Sequence, residues 1–75
     1  MEALIALILR ISHSSTPILA DTPLLSSGLV DSYHLVELLG ALEEAYGVRI
    51  DPADVGADNF NTAGDILRFI EAPRR

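Results

Sequence analysis

The chain has no cysteine and no lysine. Without cysteine no disulfide can staple the fold, and neither cysteine-ligated zinc nor thiol catalysis is open to it. Its basic residues are Arg10, Arg49, Arg68, Arg74 and Arg75, set against 11 Asp and Glu for a formal charge of −6. They form no patch, so nucleic acid is repelled rather than bound. An acidic surface suits a basic protein partner, or simply keeps the chain in solution. A long apolar run is also missing. The stretch from Leu4 to Leu9 is the most hydrophobic, yet it falls far short of the roughly 20 residues a membrane-spanning helix needs. Glu2 precedes it, where a secretory signal carries positive charge. No targeting segment is read, and a cytoplasmic location is expected.

What remains is 75 residues, 49% of them hydrophobic. That length predicts a single domain over residues 1–75. A chain so short buries only about 60% of its unfolded surface, so apolar packing alone must hold it. The initial Met and short ends suggest a freestanding protein, with a domain cut from a larger chain as the alternative.

Residues 3–11 are the first helix candidate. Leu4, Ile5, Leu7, Ile8, Leu9 and Ile11 leave almost no polar face, and a helix apolar all round is normally buried. Two readings stay open: a self-association surface, or a crowded core. Residues 13–30 read as a loop punctuated by Ser14-Ser15-Thr16-Pro17, Thr22-Pro23 and Ser26-Ser27-Gly28. Loops this long in compact domains are usually functional or disordered. This one carries Ile18, Leu19, Leu24, Leu25, Leu29 and Val30, and is expected to pack over the core.

Ser32 to Tyr46 is the best amphipathic helix. Leu35, Leu38, Leu39, Leu42 and Tyr46 fall at i, i+3, i+4, i+7 and i+11, one apolar stripe. Asp31 is the expected N-cap, with Val30 and Leu35 at the hydrophobic-staple positions. Gly47 ends the helix. Asp51-Pro52 opens a short helical turn over residues 52–55, and Phe60 is expected to plug the core from an irregular stretch. Thr62-Ala63-Gly64-Asp65 matches a capping box, and Ala63, Ile66, Leu67 and Ile70 share a face of a last helix that runs to about Glu71 and stops at Pro73. There are no repeats. The predicted fold is all-α: three main helices and one short one around a shared core.

Turning the leucine stripe inward fixes the opposite face of the second helix, at about 100° per residue. Tyr33, Glu37, Gly40 and Glu44 then point outward, with Val36 at one border and Ser32 in the first turn near the other. Glutamates on a solvated face need no special explanation. Gly40 costs roughly 1 kcal/mol relative to Ala in a helix interior, so it is either drift or a point of close approach. An exposed aromatic such as Tyr33 is a reasonable partner anchor.

Asp31-Ser32 is the most informative pair in the chain. A hydroxyl at a helix start either assists the cap or is esterified to a phosphate that the helix end stabilises. The string from Gly28 to Leu39, with its Asp-Ser pair, its apolar residue and its Leu-rich acidic helix, resembles the attachment region of acyl and peptidyl carrier proteins. The exit Glu43-Glu44-Ala45-Tyr46-Gly47-Val48-Arg49-Ile50 and the stretch from Asp51 to Ile70 are similar too, so the likeness covers residues 24–70. It implies a carrier-type four-helix bundle with 4′-phosphopantetheine on Ser32. A phosphopantetheinyl transferase using magnesium would move that group from coenzyme A, and Asp31 would serve as cap and transferase recognition element. The arm's thiol would hold an acyl or aminoacyl group as a thioester for fatty acid, polyketide or nonribosomal peptide-type biosynthesis. The chain itself would not be an enzyme. Partner enzymes with basic docking patches would meet Tyr33, Val36, Glu37, Gly40 and Glu44. The chain departs from the pattern in its very apolar first helix, in His34 where a polar or acidic residue is common, and in Gly40.

Other readings are weaker. Residues at i and i+2 on a helix do not face each other, so His34 is not expected to reach Ser32 as a catalytic base. His13 and His34 lack the paired spacing of metal ligands, and His34 reads as a solvated helix residue. The main alternative is a non-catalytic helical interaction module with an unmodified Ser32.

Overall fold

The computed structural model describes residues 1–72. It contains α1 (Glu2–Ser12), α2 (Ser32–Tyr46), α3 (Ala57–Phe60) and α4 (Ala63–Glu71), with a 3-10 turn (Pro52–Asp54) ahead of α3. No strand occurs among the described residues. The stop expected at Pro73, and Arg74 and Arg75, lie outside them.

The core joins every segment. Leu4 and Ile8 of α1 meet Leu38 and Leu42 of α2, Phe60 of α3, and Ala63 and Ile66 of α4, with Ile18, Leu24, Val30 and Ile50 supplied by the connections. The first helix is absorbed by this core. Leu4 and Ile8 are fully buried, while Ile5, Leu7, Leu9 and Ile11 pack half-buried around them. Its exposed strip is Glu2, Ala3, Ala6 and Arg10, so a crowded core accounts for its composition.

The long loop is stitched down. Asn61, between α3 and α4, accepts from Leu24 N–H through its carbonyl at 2.6 Å and from Leu25 and Ser26 N–H through its side-chain oxygen at 3.0 Å each. Gly64 N–H donates to the Ala20 carbonyl at 2.9 Å. Val30 N–H returns to the Leu24 carbonyl at 3.0 Å. Backbone that would otherwise need water is thereby paired inside the molecule.

Three sequence expectations need correcting. Phe60 does plug the core, at 1% exposure, but from the single-turn helix α3, with its ring 5.1 Å from that of Phe69. Tyr46 does not complete the buried stripe: it is 36% exposed, and it lines an open cleft with Ala3, Ala6, Leu7, Arg10 and Ala45. The stripe rotates outward by the last turn of α2 because only Leu38 and Leu42 face the heart of the core. The short turn after Asp51 is a 3-10 turn, with the Asp51 carboxylate accepting from Ala53 N–H at 2.9 Å.

Other sequence signals hold. Gly47 ends α2 at φ 64°, a conformation glycine adopts without strain. The extended link is tied back by Ile50 N–H donating to Glu43 at 2.8 Å. Thr62 caps α4 by accepting from Asp65 N–H at 3.0 Å. The Asp65 carboxylate itself pairs with Arg68.

One buried group stands unsatisfied: among the described residues, Ser12 Oγ has no hydrogen-bond partner. Burying a bare hydroxyl is destabilising, so Ser12→Ala is expected to raise stability by about 1 kcal/mol. Urea unfolding with an unchanged slope and a higher midpoint would show this; a lower midpoint would mean the hydroxyl is bonded in solution.

Candidate functional site

The site forms where the stitched loop becomes α2. Val30 is buried at 4% exposure, while Asp31, Ser32 and Tyr33 that follow are all exposed. The chain thus passes from core to surface within one residue. Val30 lies before the cap and half-buried Leu35 four positions into the helix, the staple arrangement that fixes the angle of entry.

Asp31 is the N-cap in extended backbone, φ −86° and ψ −177°. Its carbonyl accepts from Leu35 N–H at 2.8 Å, and its carboxylate Oδ1 accepts from His34 N–H at 2.9 Å. The same oxygen lies 3.0 Å from His34 Nδ1. The His34 backbone N–H is the chief reason the Asp31 carboxyl titrates below the usual aspartate range; slight desolvation opposes the shift, and the His34 side chain adds to it.

Ser32 is the first residue of α2 and is exposed. Its position at the helix end places it where unpaired N–H groups and the helix dipole favour negative charge. Tyr33 and Val36 are each 70% exposed, and Glu37, Gly40 and Glu44 continue the exposed face. A methyl at Gly40 would meet nothing within 4 Å. Glu44 borders a shallow depression with Leu7, Arg10, Ala41 and Ala45. All the residues singled out from the sequence therefore share one side of the molecule, along α2.

The histidines differ from expectation. The His34 side chain is only 23% exposed, not solvated. Its ring stands edge-on to the rings of Tyr33 at 5.4 Å and of His13 at 5.9 Å. His13 reaches it because it caps α1 in the left-handed conformation, φ 56°, with its N–H returned to the Leu9 carbonyl. The spacing of Asp31 and His34, i and i+3, is the signal that could have revealed their pairing; nothing local announces His13. Among the described residues, no three His, Cys, Asp or Glu side chains converge as a metal site requires.

Compared with known families, residues 2–70 match the phosphopantetheine attachment site family. The chain belongs to it. The chain is thus a carrier protein bearing covalently attached 4′-phosphopantetheine. It is similar to the D-alanyl carrier proteins of Streptococcus pyogenes serotype M5 (strain Manfredo) and Streptococcus equi subsp. zooepidemicus (strain MGCS10565). Each is 29% identical over 70 residues, covering 93% of this chain and 89% of the relative. No solved structure matches it significantly. No helix among the described residues is long and apolar enough to cross a membrane. The site's chemistry fits the group: an exposed serine hydroxyl at a capped helix start can carry a phosphodiester whose charge the helix end stabilises.

The pH dependence of the cap follows from its lowered pKa. With the folded value below the unfolded one, the carboxylate's contribution is complete above the ordinary aspartate range and fades as pH falls through the folded value. Asp31→Ala is therefore expected to melt earlier than the wild type at neutral pH, with the gap closing below about pH 4. A gap that persists undiminished into stronger acid would contradict a cap that acts through its charge.

Proposed function

We propose that Ser32 is the attachment residue and that the protein tethers biosynthetic intermediates on the arm it carries there. The observation that carries this reading is the exposure of the Ser32 hydroxyl at the capped start of α2. Other hydroxyls are less suited. Ser12 is buried, Ser14 bonds Thr16, and Ser27 donates to the Pro23 carbonyl. Ser15 and Ser26 are exposed but stand on the loop, without a helix end behind them. When bound, the arm supplies a terminal thiol that holds cargo as a thioester.

The chain's own residues divide the remaining work. Asp31 fixes the start of α2 and presents a carboxylate to the phosphopantetheinyl transferase. Tyr33 and Val36 offer apolar contacts, Glu37 and Glu44 pair with a basic patch on partner enzymes, and Gly40 leaves room for close approach. The protein acts as a substrate of those enzymes in the cytoplasm, not as a catalyst. The likeness to D-alanyl carrier proteins supports an aminoacyl cargo over a fatty acyl one.

Two experiments test this. Incubated with coenzyme A, magnesium and a broad-specificity phosphopantetheinyl transferase, the wild type is expected to gain the mass of one phosphopantetheinyl group and Ser32→Ala to gain none. An unmodified wild type would favour a plain helical interaction module instead. Charge reversal, Glu37→Lys or Glu44→Lys, is expected to slow partner-catalysed loading or transfer on the order of tenfold at low salt, with the circular dichroism spectrum unchanged. Unchanged rates would remove these residues from the partner face.

A further inference from the structure

The Asp31 carboxylate is held twice by one residue. Its Oδ1 accepts the His34 backbone N–H at 2.9 Å and lies 3.0 Å from the His34 ring Nδ1. The backbone bond alone leaves a carboxylate free to swing about it. The ring nitrogen lying against the same oxygen limits that rotation. The ring is itself confined, edge-on between Tyr33 and His13, and only 23% exposed. His13 is brought in from the end of α1 by a left-handed backbone uncommon for residues other than glycine. Two helices thus converge on the orientation of one surface carboxylate beside Ser32.

We propose that His34 is a positioning residue for the loading step: by clamping Asp31, it presents the carboxylate to the transferase in a single orientation. This rests on the reading of Ser32 as attachment residue and of Asp31 as the group the transferase recognises. His34 touches no reacting atom. It acts through Asp31, so its loss weakens recognition of the incoming protein and leaves the transfer step intact once the complex has formed.

The donor atom makes the proposal testable. Asparagine places an amide nitrogen where histidine has Nδ1, whereas glutamine places one nearer Nε2. Glutamine is also the better helix former. A role confined to helix stability therefore ranks Gln above Asn, and a positioning role ranks Asn above Gln. Initial loading rates would be measured against the concentration of unmodified protein for the wild type, His34→Asn, His34→Gln and His34→Ala, with coenzyme A, magnesium and one transferase. The expected result is a KM raised about 5- to 10-fold in His34→Gln and His34→Ala, kcat within about twofold, and His34→Asn close to wild type. Equal KM values throughout, a better Gln than Asn variant, or a loss carried entirely in kcat would overturn the proposal. A wild type that is not loaded at all would instead overturn the Ser32 reading, and this proposal with it.

Discussion

The structure turns on the N-cap of α2. The Asp31 carboxylate satisfies one donor that the helix start leaves without an intrahelical partner, His34 N–H, and the Asp31 carbonyl accepts the first intrahelical bond, from Leu35. A cap of this kind stabilises the helix start, and a small cysteine-free domain has little stability to spare. Its consequence is geometric. Val30 is pulled into the core while Asp31 and Ser32 are turned to the surface, so the residue proposed as the attachment point stands on a rigid base. The Asn61 bonds to Leu24, Leu25 and Ser26, and the Gly64 bond to Ala20, hold the loop that delivers Val30. The distant α3–α4 junction thereby helps to place Ser32.

Electrostatics works in two directions at this site. The helix end favours a phosphodiester, while a chain of net charge −6 opposes it weakly through exposed and screened groups. The same acidity suits the basic patches proposed for partner enzymes. Steering of this kind speeds encounter more than it adds affinity, which suits a carrier that must leave one enzyme for the next. The absence of cysteine is consistent with the role, since the reactive thiol belongs to the cofactor.

The parts of this architecture that depend on near neighbours were legible in the sequence. The bounds of α2, its Asp31 cap, the Val30–Leu35 staple, the Gly47 stop and the Thr62 cap all follow from residues within one or two turns of each other. The exposed face of α2 followed from the same periodicity. What escaped depends on contacts far apart in the chain. Phe60 lies on a helical turn too short to show a period. Asn61 grips a loop about 35 residues away, which only the folded topology reveals. His34 looked solvated because its confinement comes from His13, across a loop. Tyr46 kept the apolar spacing, but the core ends before it does.

The most direct check is the position of the arm on protein isolated from its native cells. Proteolysis and tandem mass spectrometry should find phosphopantetheine, with or without cargo, on the peptide containing Asp31 and Ser32, with fragment ions assigning it to Ser32. An arm on Ser15, Ser26 or any other hydroxyl would contradict the claim that the capped start of α2 is the anchor.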